Sequence, residues 1–178
     1  MSTDPRIGVR LEGGLDADDL AGRYADWLVR IEQMHQDARP LANPEPAFTT
    51  LSRPLAEARV GLLTSAGAYL DGDTPFDVED PDGDPSVRVI PGDVDPSQLR
   101  FAHSHYDTTR AEQDPNVVLP VGPLGALVAD GAVGATASLH VGMMGFNPDP
   151  RRIAAESAPR VVELFAADGV DVVVLSPG

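Results

Sequence analysis

The groups best able to do chemistry lie in one stretch, FAHSHYDTTRAEQDPN, from Phe101 to Asn116. His103 and His105 alternate there. Tyr106, Asp107, Thr108, Glu112, Asp114 and Asn116 follow at once. An imidazole titrates near neutrality, so it can donate and accept protons in one cycle. Asp107 or Glu112 could orient or charge it. On an extended segment, residues two apart face the same side. His103 and His105 could therefore clamp a metal, with Asp107, Glu112, Asp114 or His140 completing the ligand set. The same residues equally suit a cofactor-free polar pocket or a set of structural caps. Ser104, Thr108 and Thr109 read as hydrogen bonders or caps rather than nucleophiles, because no triad is visible. Asp114, Pro115 and Asn116 also have the composition of a turn.

The elements that must position this stretch follow from apolar periodicity. Residues 16–38 read as a helix, with Leu20, Tyr24, Trp27, Leu28, Ile31 and Met34 on one face. Its expected role is to cover the core. Residues 58–64 read as a buried strand, followed by Ser65, Ala66 and Gly67, small enough to let a ligand approach. Residues 71–96 form an acidic, proline- and glycine-rich excursion. It reads as solvated, with Val87, Val89 and Ile90 as a brief edge strand, and it lacks the pattern of a calcium loop.

The second half is more regular. Leu99–His103 reads as a strand, Leu124–Ala129 as a short helix, and Val133–His140 as a strand. Pro148–Ala167 reads as a helix that Pro159 bends or divides. Val170–Leu175 reads as a strand covered on both faces. This order predicts one α/β domain over residues 1–178. Its sheet is open and mostly parallel with flanking helices, in a Rossmann-like or flavodoxin-like three-layer arrangement. Ligands of such sheets bind beyond the carboxyl ends of the strands. Ser65 to Gly67, the polar stretch, the residues after His140, and Ser176 to Gly178 should therefore share one rim.

Composition narrows the function. The formal net charge is -15, and all 13 basic residues are arginine. No basic cluster suggests nucleic acid or an anionic lipid surface as a partner. Without lysine, the chain holds neither a Schiff-base nor a phosphate-loop lysine. Without cysteine, it holds no disulfide, thiolate metal site or thiol nucleophile. Gly122 with Gly125, and Gly142 with Gly145, do not make a dinucleotide fingerprint. No apolar run is long enough for a membrane span, and MSTDPRIGVR lacks a secretory core, so a cytoplasmic protein is expected.

The block AHSHYDTTRAEQDPNVVLP, from Ala102 to Pro120, resembles the selenoprotein B family of glycine, sarcosine, betaine and D-proline reductases. GLLTSAGAYLDGDTPFD at 61–77, RVIPGD at 88–93, HVGMMGFNPDPRRI at 140–153 and GVDVVVLSPG at 169–178 resemble it too, in the family's order. The resemblance implies reductive cleavage of a carbon–nitrogen bond in a small amine or amino acid. A selenocysteine or cysteine would attack the substrate. No cofactor is implied within this chain; a partner reductase subunit would carry a pyruvoyl group that holds the amine. Carried onto these positions, His103, His105 and Asp107 are the candidate catalytic residues. Ser65, Gly67, Tyr106, Thr108, Glu112, Asp114, Asn116 and His140 are the candidate substrate-binding residues. No metal is expected in this reading. A metal-dependent hydrolase built on His103 and His105, and a non-catalytic ligand-binding or assembly module, are the alternatives. A homo-oligomer is compatible with an unpaired final strand.

Family members continue past the last strand into a redox loop, and this sequence stops at Ser176, Pro177 and Gly178. Two expectations stand: the C-terminal part is missing because a selenocysteine codon was read as a stop, or the chain is a genuine short homologue that binds a ligand or partner without the redox chemistry. Nucleotide sequence after Gly178 separates them. An in-frame continuation encoding a further helix and strand is expected of the first, and its absence refutes that idea.

Overall fold

The computed structural model of the chain describes residues 49–178. The helix expected at 16–38 lies outside them. The frame is a mixed sheet whose central strand is β1 (Arg59–Thr64). On one side β1 pairs in parallel with β7 (Val172–Ser176) over its whole length. On the other it pairs in parallel first with β5 (Ala135–Thr136) and then with β6 (Leu139–Met143). β3 (Val87–Pro91) closes that side antiparallel to β6. The sheet is thus mostly parallel, with the antiparallel edge strand that Val87, Val89 and Ile90 suggested.

Helices flank both faces. Alternate residues of a strand point to opposite sides. Val60 and Leu62 join a buried cluster with Leu119, Leu124 and Val133, under α2 (Val121–Ala129). Gly61 faces the other way, and a Cβ there would stand 2.7 Å from a ring carbon of Phe165. Phe165 belongs to α4 (Ala158–Ala167), which follows α3 (Pro150–Arg152) through a π-helical turn at Ile153–Ser157. The expected bend is this turn. Pro159 has no N–H and its ring crowds the preceding carbonyls, so the chain widens just before it. Pro150 sits at the first turn, and Asp149 accepts the Arg151 N–H at 3.0 Å.

Three expectations need correction. The strand read as Leu99–His103 is β4 (Leu99–Phe101), and it is not in the main sheet. It pairs antiparallel with β2 (Ala68–Leu70), which leaves β1 after a tight turn at Gly67. The strand read as Val133–His140 is split, because Ala137 and Ser138 bulge between β5 and β6. Finally, β7 is not covered on both faces: Leu175 is 70% and Val174 43% exposed. In the acidic excursion most acidic side chains are exposed, and a few contacts anchor the loop. Phe76 is buried beneath the Arg88 guanidinium, which lies 4.3 Å from its ring centre. Asp77, Asp80 and Asp84 accept backbone N–H groups of their own loop.

The split has a structural cost that one side chain offsets. Val60 pairs with Thr136 and Leu63 with Val141, so three steps along β1 face five along the partner. The N–H of Leu62 falls in the gap, and a buried N–H without an acceptor is expensive. His140, 0% exposed, turns its Nδ1 into the gap and accepts that N–H at 3.2 Å. The neutral ring then carries its proton on Nε2, which has no hydrogen-bond partner among the described residues. Burial pushes the His140 imidazole down to about 4, against smaller opposing effects of the Leu139 backbone and Asp168.

The sign of the resulting pH dependence follows. Between the folded value near 4 and the ordinary value near 6.5, the unfolded chain binds a proton that the folded chain refuses. Stability is therefore full above that window and falls as pH falls through it, approaching roughly 1.4 kcal/mol per pH unit. Urea unfolding of the chain between pH 6.5 and 5 should show this slope. His140→Asn keeps an acceptor but cannot titrate, and should flatten most of it. An unchanged slope would rule out the buried neutral imidazole.

Candidate functional site

The candidate site forms where β1, β6 and β7 end. β1 is followed by Ser65, Ala66 and Gly67. The Gly67 N–H donates to the Met143 carbonyl at 2.8 Å, and its own carbonyl accepts the Ala102 N–H at 2.9 Å. Gly67 has φ 72°, and a Cβ there would meet the Ala102 carbonyl oxygen at 2.0 Å. Only glycine suits such a backbone. This crossing carries the chain after β4 onto the strand ends, so the polar stretch reaches the expected rim from an antiparallel ribbon rather than from the parallel array. β7 arrives on the other side. The Ser65 N–H donates to the Ser176 carbonyl at 3.0 Å, and the Gly178 N–H to Ser65 Oγ at 3.3 Å.

The two histidines have different surroundings. His103 Nδ1 accepts the His105 N–H at 3.0 Å, which leaves the neutral ring's proton on Nε2. The Cβ position of Gly145 would lie 3.0 Å from that Nε2 and 3.4 Å from Ser65 Oγ. His103 thus faces the loops after β1 and β6. Burial, and then the neighbouring His105, push its imidazole below the ordinary histidine value. His105 is exposed; its Nδ1 shares a hydrogen bond with Ser104 Oγ at 2.9 Å. Its ring stacks on Phe146, with centres 3.8 Å apart and planes 8° from parallel. Tyr106 stands edge-on to His103 at 4.7 Å, and its hydroxyl donates to the Ala66 carbonyl at 2.9 Å. Burial and the charge of Glu112 push the Tyr106 phenol up to about 12.

The carboxylates are used locally. Asp107 accepts the N–H of Thr109 at 3.0 Å and also its hydroxyl, so it tethers the start of α1 (Thr109–Gln113). Those bonds hold its carboxyl below the usual range. Glu112 accepts the Thr108 hydroxyl at 2.8 Å. Asp114 accepts the Asn116 N–H at 3.1 Å and side-chain N–H at 2.9 Å, and Asn116 Oδ1 accepts the Gly122 N–H at 2.9 Å. Asp114, Pro115 and Asn116 therefore have the geometry of the turn their composition suggested, bracing α1 against α2.

The structure thus brings together His103, His105, Tyr106, Ser65 and Gly67. It sets Asp107, Thr108, Glu112, Asp114 and Asn116 in capping contacts within the same segment. It does not bring His140 to the rim: that ring is inside the sheet, opposite Ile90, because β6 runs on to Met143. Among the described residues, no three His, Cys, Asp or Glu side chains gather as a metal centre would require. Phe146 was missed by the sequence reading. Its one signal was an aromatic residue in the glycine-bounded turn directly after a strand.

An open α/β sheet with a histidine-bearing segment across its strand ends defines the class. The chain belongs to the glycine/sarcosine/betaine reductase selenoprotein B family, whose sequence model matches residues 53–177. It is 32% identical over 135 residues to the D-proline reductase subunit gamma of Acetoanaerobium sticklandii, covering 76% of this chain and 54% of that protein. It is 28% identical over 144 residues to the glycine reductase complex component B subunit gamma of Symbiobacterium thermophilum, covering 74% of this chain and 33% of that protein. The chain thus spans about half and about a third of these relatives. No solved structure matches it. No helix among the described residues is long and apolar enough to cross a membrane.

The contrast between the two imidazoles can be measured. In an NMR titration of the chain, His103 should protonate below the ordinary histidine value. His105→Gln should raise that midpoint, because the electrostatic opposition of the neighbouring imidazole is removed. A His103 midpoint at or above the ordinary value would contradict the described burial.

Proposed function

We propose that the chain is the substrate-side part of a reductase subunit that cleaves the carbon–nitrogen bond of a small amino acid or betaine. Glycine, sarcosine, betaine and D-proline are the candidate substrates. One observation supports this most: the end of β7 is tied to Ser65, and Ser65 and His103 Nε2 both border Gly145. A selenol or thiol carried by polypeptide following Gly178 would begin at the rim that the histidine block occupies. Its chalcogenate would attack the carbon bearing the amine. A carbon–chalcogen bond forms, the carbon–nitrogen bond breaks, and nitrogen leaves with its electron pair. For glycine, sarcosine or D-proline a proton must reach that nitrogen; betaine's nitrogen leaves as a neutral tertiary amine without one.

We assign that delivery to His103. His103 would first take a proton from solvent; its lowered proton affinity makes the resulting imidazolium a ready donor, and the ring returns to neutral on donation. Tyr106, anchored on Ala66 and held protonated, offers a firm ring beside it rather than a base. Ser65 and Gly67 shape the backbone floor. A pyruvoyl group on a partner subunit would supply an electrophilic carbonyl for the substrate amine. The residues here fit a partner's group better than one of their own, since His105 and Ser104 are exposed and leave the rim open. The two electrons for release of the product would come from a dithiol.

The complete reading frame, assembled with its partner subunits, should release amine from glycine, sarcosine or betaine, or open the ring of D-proline, in a dithiol-dependent reaction. His103→Ala should lower kcat about 10²- to 10⁴-fold, the usual worth of a positioned proton donor. Failure of all four substrates would refute the reductase reading. Full activity of His103→Ala would refute the assignment of the proton donor.

A further inference from the structure

Gly67, Gly142 and Gly145 all lie at the strand ends, and two of them are demanded by neighbouring backbone. A Cβ at Gly67 would meet the Ala102 carbonyl oxygen at 2.0 Å, and one at Gly142 the Ala68 carbonyl oxygen at 1.9 Å. Gly145 is different. Its φ is not left-handed, so the chain conformation there does not call for glycine. A Cβ at Gly145 would stand 3.0 Å from His103 Nε2, 3.0 Å from the Ser65 carbonyl oxygen and 3.4 Å from Ser65 Oγ. Those contacts are tight, yet they yield to shifts of a few tenths of an ångström. What the missing side chain leaves is a narrow space bordered by three polar atoms.

The atom at the edge of that space is the one His103 has free. Its Nδ1 is taken by the His105 N–H, so proton exchange or bonding to a small molecule must use Nε2. The ring is half-buried, and the Tyr106 and His105 rings are centred 4.7 and 6.1 Å from it. Access to Nε2 is therefore restricted, and the side bordered by Gly145 carries no side chain. We propose that Gly145 is a positioning residue for His103: by lacking a side chain it keeps open the passage through which solvent and small molecules reach Nε2, and it limits their size. A single added methyl group is enough to obstruct that passage. The catalytic meaning of the passage rests on the proposed role of His103 as proton donor; the passage itself is a property of this chain.

The test is reactivity of the imidazoles, read apart from catalysis. The full chain is treated with diethyl pyrocarbonate, which acylates imidazole nitrogen, and the reaction at each ring is followed by NMR. His105, two residues away and exposed, is the internal control. In Gly145→Ala the reaction at His103 should be slower by at least about fivefold, the low end of what an added methyl costs in a packed place. The rate at His105 should be unchanged. A loosened fold would instead alter both rings. Where Gly145→Ala loses the native amide spectrum, the unsubstituted chain is treated with di-tert-butyl dicarbonate, a bulkier acylating reagent. Its reaction at His103 relative to His105 should fall well below that of diethyl pyrocarbonate. An unchanged His103 rate in Gly145→Ala, a parallel change at both rings, or equal relative reaction of His103 with both reagents overturns the proposal. In the assembled enzyme, Gly145→Ala should lower kcat on the substrate that is turned over. His103 shielded from the reagent with kcat unchanged would leave the passage standing and sink His103 as the proton donor.

Discussion

The hydrogen bond from the Leu62 N–H to His140 Nδ1 is the contact on which the rest of the described structure depends. β1 must pair with β7 along one edge and with two offset strands along the other. The offset leaves one main-chain donor of the central strand without a ladder partner. A buried imidazole supplies the acceptor from within β6, at the expense of leaving its own Nε2–H without a partner among the described residues and its charged form disfavoured. With that gap filled, β6 resumes its pairing at Leu63 and Thr64 and ends level with β1. Level ends are what allow Ser65 and Gly145 to approach the same histidine.

The rim above them combines backbone that is crowded with side chains that are aromatic. Gly67 lets the ribbon of β2 and β4 cross β1 closely, and the crossing sets His103 beside Ser65. The acidic residues of the histidine segment spend their charge on holding that segment's own turns. This division of labour separates two imidazoles only two residues apart: one turned inward with a lowered proton affinity, one outward on a phenyl ring. Family membership fits this arrangement, because the matched region includes every one of these residues except Gly178.

Much of this was legible in the sequence where the signals are local. The run ARVGLLT, the helix closed by Asp130 and Gly131, and the bend before Pro159 all follow from short-range rules, and each is present. The rim itself was legible from strand ends followed by small residues. His140 was not, because its place depends on a two-residue register offset between strands far apart in sequence. The position of β4 was not, because nothing local distinguishes a strand of the parallel sheet from one arm of a ribbon. Asp107 and Glu112 looked like partners for histidine by proximity in sequence; nearer backbone and hydroxyl donors claimed them first. Phe146 became visible only when the loop after β6 met the histidine segment in space.

The convergence of the histidine segment on the strand ends is tested most directly by NOE spectroscopy on the intact chain. His103 ring protons should show cross-peaks to the Gly145 Hα and Ser65 Hβ protons, and Phe146 ring protons to the His105 ring. A His103 ring with no contact to either Gly145 or Ser65 would contradict the assembled rim, and with it the placement of proton donor and substrate proposed here.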